Sequence, residues 1–388
     1  MAFRPMTTLR HVIAALVLVI AVMAGIEFWM RSRATPTIQM VTSQTSEENQ
    51  LLLVPSEARH HDLRKNSTVS LRSTKNGPAH VVRVNSQGCR GEEVEIPARP
   101  GTYRILFLGD DTICGTAVDE SETVTSRLQQ FLSKETTAEI EVINGGVPGY
   151  CPLLSWLKFE QDLVQLKPQL VILHVDMTDI ADDACYRGLI MADGGSMECQ
   201  HASFRLKSGP ENALMHYVRQ SAIATWLFAT ARHYAPELLS VSSATASCDV
   251  GLNWIIDDPP DLRLQVRHAL APIRDLQDAV KQSGGRFLVT TSPVLWQVLS
   301  ADEAPELSRR MGIKGVPPFT ERLPFDIVRA FCEQSRIHYC DASPSFKGEN
   351  AGKLFSKDAP VLSRIGMALY AREIARSLIS DPPTKWSE

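Results

Sequence analysis

The chain has 388 residues, 44% of them hydrophobic and 22% charged, so it carries enough apolar material to bury a full core. A formal net charge of -4, with no Arg- or Lys-rich block interleaved with aromatic residues, gives no reason to expect a nucleic-acid partner. The length would permit two domains, although α/β folds of about 200–250 residues are often one unit.

The first predicted element is a helix. Arg4 and Arg10 precede an apolar run over residues 12–30, interrupted only by Glu27, and Arg31 and Arg33 follow. An uncharged stretch of roughly 18 residues approaches the length needed to cross the hydrocarbon core. Residues 1–33 are therefore expected to be a short tail and a membrane-anchoring helix. A cleaved signal peptide is the alternative, because Val22 and Ala24 suit the small-residue rule at a cleavage site. A buried globular helix is disfavoured, since a helix apolar all round has nothing nearby to pack on. The flanking arginines balance and do not set an orientation. N-terminal anchors usually leave a short cytoplasmic tail, and both leading readings place the domain outside the cytoplasm, with the membrane as partner in the anchored case.

Residues 34–79 are rich in Ser, Thr, Asn, Gln and charge, with one short apolar patch at 51–54, and read as a polar linker. A domain over residues 80–385 follows. A short strand is expected at 81–84. Runs at 103–108 (YRILFL), 140–143 (IEVI), 170–175 (LVILHV) and 286–291 (RFLVTT) are continuous rather than alternating, as suits strands covered on both faces of a parallel sheet. Helices are expected at 122–134, 153–166, 263–282, 324–335 and 363–379, with a last strand at 337–340. Strand and helix in this alternation predict a doubly wound α/β parallel-sheet sandwich.

Residues 181–260 break the rhythm and read as an insertion over the carboxyl ends of the strands, where open α/β sheets bind ligands. Its aromatics (Tyr217, Trp226, Phe228, Tyr234 and Trp254) would stack on sugars or form a cap core. The helical spacing of Leu214, Val218, Ile223 and Leu227 favours the cap core. None of the eight cysteines forms a C-x-x-C pair, which argues against a zinc ribbon or a thioredoxin-type site. Cys185 with Cys199, and Cys332 with Cys340, are candidate disulfides in an oxidising compartment; buried free thiols are the alternative.

Four short blocks carry the chemistry. The strand at 103–108 runs into Gly109-Asp110-Asp111, and Asn144-Gly145-Gly146 follows the second strand. The third strand ends in Asp176-Met177-Thr178-Asp179, and Asp358 with Val361 stands near the C-terminus. In order, spacing and context these blocks resemble the SGNH/GDSL hydrolases over about residues 81 to 380, and the segment from Asn85 to Gly91 recurs in envelope members of that family. The resemblance implies a flavodoxin-like sandwich and an ester-hydrolase ancestry. It places the nucleophile at Asp111, oxyanion-hole donors at Gly146 and Thr178, the triad acid at Asp358, and structural roles at Gly109, Asp110 and Asp179.

The departures from the family pattern decide the expected function. Asp111 replaces the nucleophilic Ser, Val361 replaces the base His, Asp176 replaces a Gly and Thr178 replaces an Asn. Acyl transfer needs a hydroxyl, a base within reach and preorganised donors for the oxyanion. Val361 takes no proton, and a carboxylate at 111 repels an oxyanion. The expectation is thus a membrane-anchored SGNH-like protein without ordinary esterase activity, binding a glycan, an acyl group or a protein partner in the cell envelope. A diverged ester hydrolase or O-acyltransferase on envelope polysaccharide, using Asp111 or a recruited His, is the alternative; a structural spacer is a third reading. No cofactor is expected. A cation held by Asp110, Asp111, Asp176 and Asp179 competes with loop-capping roles for the same side chains, and the capping roles are preferred, so no metal is expected either. His174, on the third strand, reads as a satisfied core histidine. The spacing of His201, His216, His233 and His268 assigns them nothing.

Overall fold

This computed structural model describes residues 52–72, 79–193, 196–201, 261–298, 322–356 and 361–380. Folded structure begins well before residue 80, which corrects the expected linker. Leu53–Pro55 (β1) pairs antiparallel with His61–Leu63 (β2), and Ser67–Arg72 (β3) with Ala79–Val84 (β4). Two of the segment's charges, Arg59 and Asp62, are satisfied inside the protein rather than by water. Lys158, wholly buried, donates from Nζ to Asp62 Oδ1 at 2.8 Å and to Gly88 O at 3.0 Å. Arg59 donates from Nε to Asp62 Oδ2 at 2.8 Å, and Tyr150 Oη donates to His61 O at 2.8 Å. Burial pushes the Asp62 carboxyl up, but Lys158 and Arg59 outweigh it and hold the group at about 2.

The main sheet is built from Thr102–Leu108 (β5), Glu139–Asn144 (β6), Leu170–His174 (β7), and, after a hairpin of Ile190–Asp193 (β8) and Ser196–Cys199 (β9), Arg286–Thr291 (β10) and His338–Asp341 (β11). Its strand order is β11-β10-β7-β5-β6 and every pairing in it is parallel. All seven residues of β5 and all five of β7 are buried, as continuous apolar runs require.

Alternation along β5 divides the core. Tyr103, Ile105 and Phe107 join one cluster, while Leu106 and Leu108 join the other. The helices numbered here are Asp111–Cys114 (α1), Val124–Glu135 (α2), Pro152–Lys158 (α3), Asp179–Arg187 (α4), Arg263–Gln282 (α5), Leu323–Gln334 (α6) and Arg364–Ser380 (α7). Val124, Leu128 and Leu132 of α2 and Tyr370, Ala371 and Ile374 of α7 cover the first face. Leu270, Ile273 and Leu276 of α5 and Val328 and Cys332 of α6 cover the second. This is the doubly wound arrangement expected.

The helix expected over 153–166 is α-helical only to Lys158. It continues as a π turn at Phe159–Leu163 and a 3-10 turn at Val164–Leu166. Among the described residues no helix is long and apolar enough to cross a membrane. The run at 12–30, most of the insertion (202–260) and Asp358 lie outside the described residues.

Neither candidate disulfide is closed. Cys332 lies in one core cluster and Cys340 in the other, on opposite faces of the sheet, and both are free thiols. Cys199 keeps its thiol, with Sγ 3.6 Å from Tyr186 O, whereas Cys185 is itself disulfide-bonded.

Two outcomes follow from the buried ion pairs. Asp62→Ala strands a buried ammonium and is expected to destabilise the fold by about 3–5 kcal/mol. Adding Lys158→Met should recover much of that loss, as read by chemical denaturation of both variants. The second outcome concerns acid. Burial pushes His61 down from 6.5 to about 4, so between those values the unfolded chain binds a proton that the folded chain does not. Stability from this group is complete above pH 6.5 and is lost as pH falls toward 4, by about 3 kcal/mol. His61→Gln should flatten that part of the wild-type pH–stability curve; an unchanged slope would refute the assignment.

Candidate functional site

In this strand order the first strand of the sheet, β5, lies between β6 on one side and β7 on the other, so successive connections run in opposite directions from it. The crevice outside the carboxyl ends of β5 and β7 is the topological switch point, where such sheets bind ligands. Leu108 of β5 pairs with Leu173 of β7, which carries Gly109 alongside His174. The approach is close: a Cβ on Gly109 would lie 2.9 Å from His174 Cβ and 2.7 Å from Ile113 Cγ1, and φ is +154°. Only glycine fits there.

Asp110 then caps α1, its Oδ1 accepting from Thr112 N at 3.0 Å. The other end of α1 is held by Arg90, which donates to Cys114 O at 2.7 Å, to Gly115 O, and to Val118 O at 2.9 Å. The loop after β6 is laced to β5 by Gly145 N to Phe107 O (2.8 Å) and Val147 N to Gly109 O (2.9 Å). Gly146 permits this packing, because a Cβ there would fall 2.4 Å from Cys114 N.

After β7 the chain turns on its own carboxylates. Asp176 Oδ1 accepts from Thr178 N at 2.8 Å, and Asp179 Oδ2 accepts from Asp176 N at 2.9 Å. Thr178 Oγ1 donates to Asp182 Oδ2 at 3.2 Å, one turn along α4.

Both donors assigned to an oxyanion hole are thus committed. Gly146 N donates to Asn144 Oδ1 at 3.1 Å, and both polar groups of Thr178 serve carboxylates. Val361 has an aliphatic side chain, and its backbone carbonyl accepts from Ser356 N at 2.9 Å.

The carboxylates interact strongly. Burial, then Asp176 and Asp111, push Asp110 well above the usual carboxylate range. Burial and Asp176 push Asp111, which is half-buried, up to about 6, against backbone N–H donation from Gly149. Burial and Asp176 likewise push Asp182 up to about 7, and burial with Asp176 and Asp110 pushes Asp179 well up. Asp176 alone lies below its ordinary value: burial raises it, but His174 and the Thr178 hydrogen bonds outweigh burial.

The structure therefore brings Asp110, Asp111, Asp176, Thr178 and Asp179 together, and adds two groups that the sequence reading left out. Asp182 could have been found from the i, i+4 spacing to Thr178 on a helix. His174 is buried as expected but only half satisfied. Its Nδ1 lies 2.7 Å from Tyr370 Oη, while Nε2 has no hydrogen-bond partner. Tyr370 comes from α7, 196 residues away, and no local pattern points to it.

No protein-family model matches the chain, and no curated protein matches it. Among solved structures, an acetylxylan esterase from Geobacillus stearothermophilus is similar at 14% identity, over 76% of this chain and 99% of its own, with a TM-score of 0.39. A lipolytic protein of the G-D-S-L family from Desulfitobacterium hafniense is similar at 14% identity, over 71% and 99%, with a TM-score of 0.37. An acylhydrolase from Bacteroides fragilis is similar at 12% identity, over 74% and 92%, with a TM-score of 0.35.

The contact between strand ends makes a prediction. Gly109→Ala is expected to lower stability by about 1–3 kcal/mol through backbone strain and overlap with His174. Gly188→Ala, where a Cβ meets nothing within 4 Å, should leave the melting temperature nearly unchanged. Equal effects in thermal denaturation would show that the close approach is not a constraint.

Proposed function

We propose that this chain is a membrane-anchored, exported SGNH-hydrolase-like protein that binds a neutral, hydroxyl-rich glycan of the cell envelope and lacks serine-esterase activity. The observation that carries the reading is the balance of donors and acceptors at the strand ends. Five carboxylates meet there, and the backbone and hydroxyl donors that an oxyanion would use already serve carboxylates or Asn144. Asp111 and Asp182, the two of the five that are half-buried, can accept hydrogen bonds from sugar hydroxyls, and the cluster as a whole disfavours a tetrahedral oxyanion. Asp111 supplies no hydroxyl nucleophile, and Val361 supplies no base.

A second reading draws on the raised Asp111 carboxyl. A half-buried group at about 6 suits general-base work near neutral pH, as a diverged hydrolase would need.

The full-length chain in detergent should leave short-chain p-nitrophenyl esters and acetylated xylan intact, and should be retained on neutral xylan but not on polygalacturonate. Asp111→Ala should weaken retention about tenfold, in line with loss of a hydrogen bond to a charged acceptor. The Asp111→Ser/Val361→His double variant should gain measurable esterase activity. Wild-type turnover that Asp111→Ala abolishes would replace the binding reading with the second one.

A further inference from the structure

We infer that Asp110, His174 and Asp176 form a binding site for one divalent first-row transition cation, of the Mn2+ to Zn2+ type, at the carboxyl ends of β5 and β7. The inference stands apart from the glycan reading and concerns buried atoms of the same crevice.

The unpartnered imidazole nitrogen is the first argument. Nδ1 of His174 lies 2.7 Å from Tyr370 Oη, which also bonds Thr290 Oγ1 at 3.2 Å. With Nδ1–H as the donor in that contact, the ring presents a lone pair at Nε2. His174 is 2% exposed, and Nε2, with no hydrogen-bond partner, faces Asp176 Oδ2 at 3.5 Å and Asp110 Oδ1 at 4.0 Å. The three atoms lie together at the strand ends, with Asp110 Oδ1 also accepting from Thr112 N.

Spacing is the second argument. One donor atom from each residue lies within 4.8 Å of the other two. Metal–nitrogen and metal–oxygen bonds of about 2.0–2.2 Å in tetrahedral geometry put ligand atoms about 3.3–3.6 Å apart. The 3.5 Å pair already has that separation, and the 4.0 Å pair must close by about half an ångström. One imidazole with two carboxylates is a borderline-hard donor set, suited to Mn2+ through Zn2+ more than to Ca2+.

The outer contacts match what a ligating imidazole needs. Tyr370, anchored on Thr290, orients the ring through the nitrogen that does not face the site. Thr178 N holds Asp176 through Oδ1, leaving Oδ2 on the side of the ring. A dication would also offset the mutual repulsion of the buried carboxylates. Three protein ligands leave at least one position for water or a ligand hydroxyl.

The test uses the untagged full-length chain in detergent, stripped with a chelator and dialysed against Mn2+. One ion should bind per chain, with electron spin-echo modulation from a single imidazole nitrogen. His174→Gln should abolish the modulation and weaken binding at least tenfold, and Tyr370→Phe should weaken binding about tenfold while the modulation persists. Asp110→Asn, nearly isosteric, carries the same test should His174→Gln fail to fold: lost binding supports the site, and unchanged binding overturns it. Folded wild-type protein that takes up neither Mn2+ nor Zn2+ at millimolar concentration, or nitrogen modulation that survives His174→Gln, would also overturn it.

Discussion

The site depends on one pairing, the register that sets the end of β5 beside the end of β7. Leu108 opposite Leu173 places Gly109 against His174, and the absence of a side chain at 109 lets the two backbones close. Asp110 and Asp176 then both emerge near Nε2 of one imidazole. Asp111 and the first turn of α4 take their positions from the same two strand ends. A bulkier residue at 109 would part the strands and separate the carboxylates along with them. The geometry of the site is in this sense a property of the sheet, and its loops elaborate what the register has already placed.

Crowding like charges in a buried crevice is costly, and the surrounding hydrogen bonds show how the cost is contained. Asp110, Asp176 and Asp179 each take a backbone N–H in the turns that follow the strands, and Asp182 takes the Thr178 hydroxyl. Those donors stabilise carboxylates in the resting protein and so are not available to an oxyanion that appears only during a reaction. Electrostatic catalysis of acyl transfer needs donors held open. The carboxylate of Asp111 and the commitment of Thr178 act in the same direction, since each makes the crevice a better acceptor and a poorer stabiliser of negative charge.

The sheet was legible in the sequence because both its faces are covered. Runs such as YRILFL and LVILHV carry no alternation to confuse with a half-exposed strand, and the observed β5 and β7 begin and end within one residue of expectation. The carboxylate blocks were legible because strand ends are sharp boundaries marked by Gly and Asp. Residues 52–72 were not legible: their folding rests on buried charge pairs such as Asp62 with Lys158, and composition treats a buried pair and a solvated one alike. The choice between a Cys332–Cys340 bridge and buried free thiols stayed open for a related reason, since closeness in sequence says nothing of which face of the sheet each residue joins. The unsatisfied Nε2 of His174 could not be read either, because its meaning depends on Tyr370 from the last helix.

The misread segment changes how the crevice relates to the rest of the chain. His61 Nε2 lies 2.8 Å from Pro148 O, and Tyr150 Oη reaches back to His61 O, so β2 is bonded to both ends of the turn that follows Gly146. Arg90, just after β4, holds the far end of α1, whose first residue is Asp111. Two segments that precede the first strand of the sheet therefore brace two of the three loops around the crevice. A free polar linker would decouple the crevice from whatever lies upstream. Residues 52–72 do the reverse: they are bonded to the site's own loop through short, buried hydrogen bonds, so the position of Gly146 and its neighbours depends on this segment being folded.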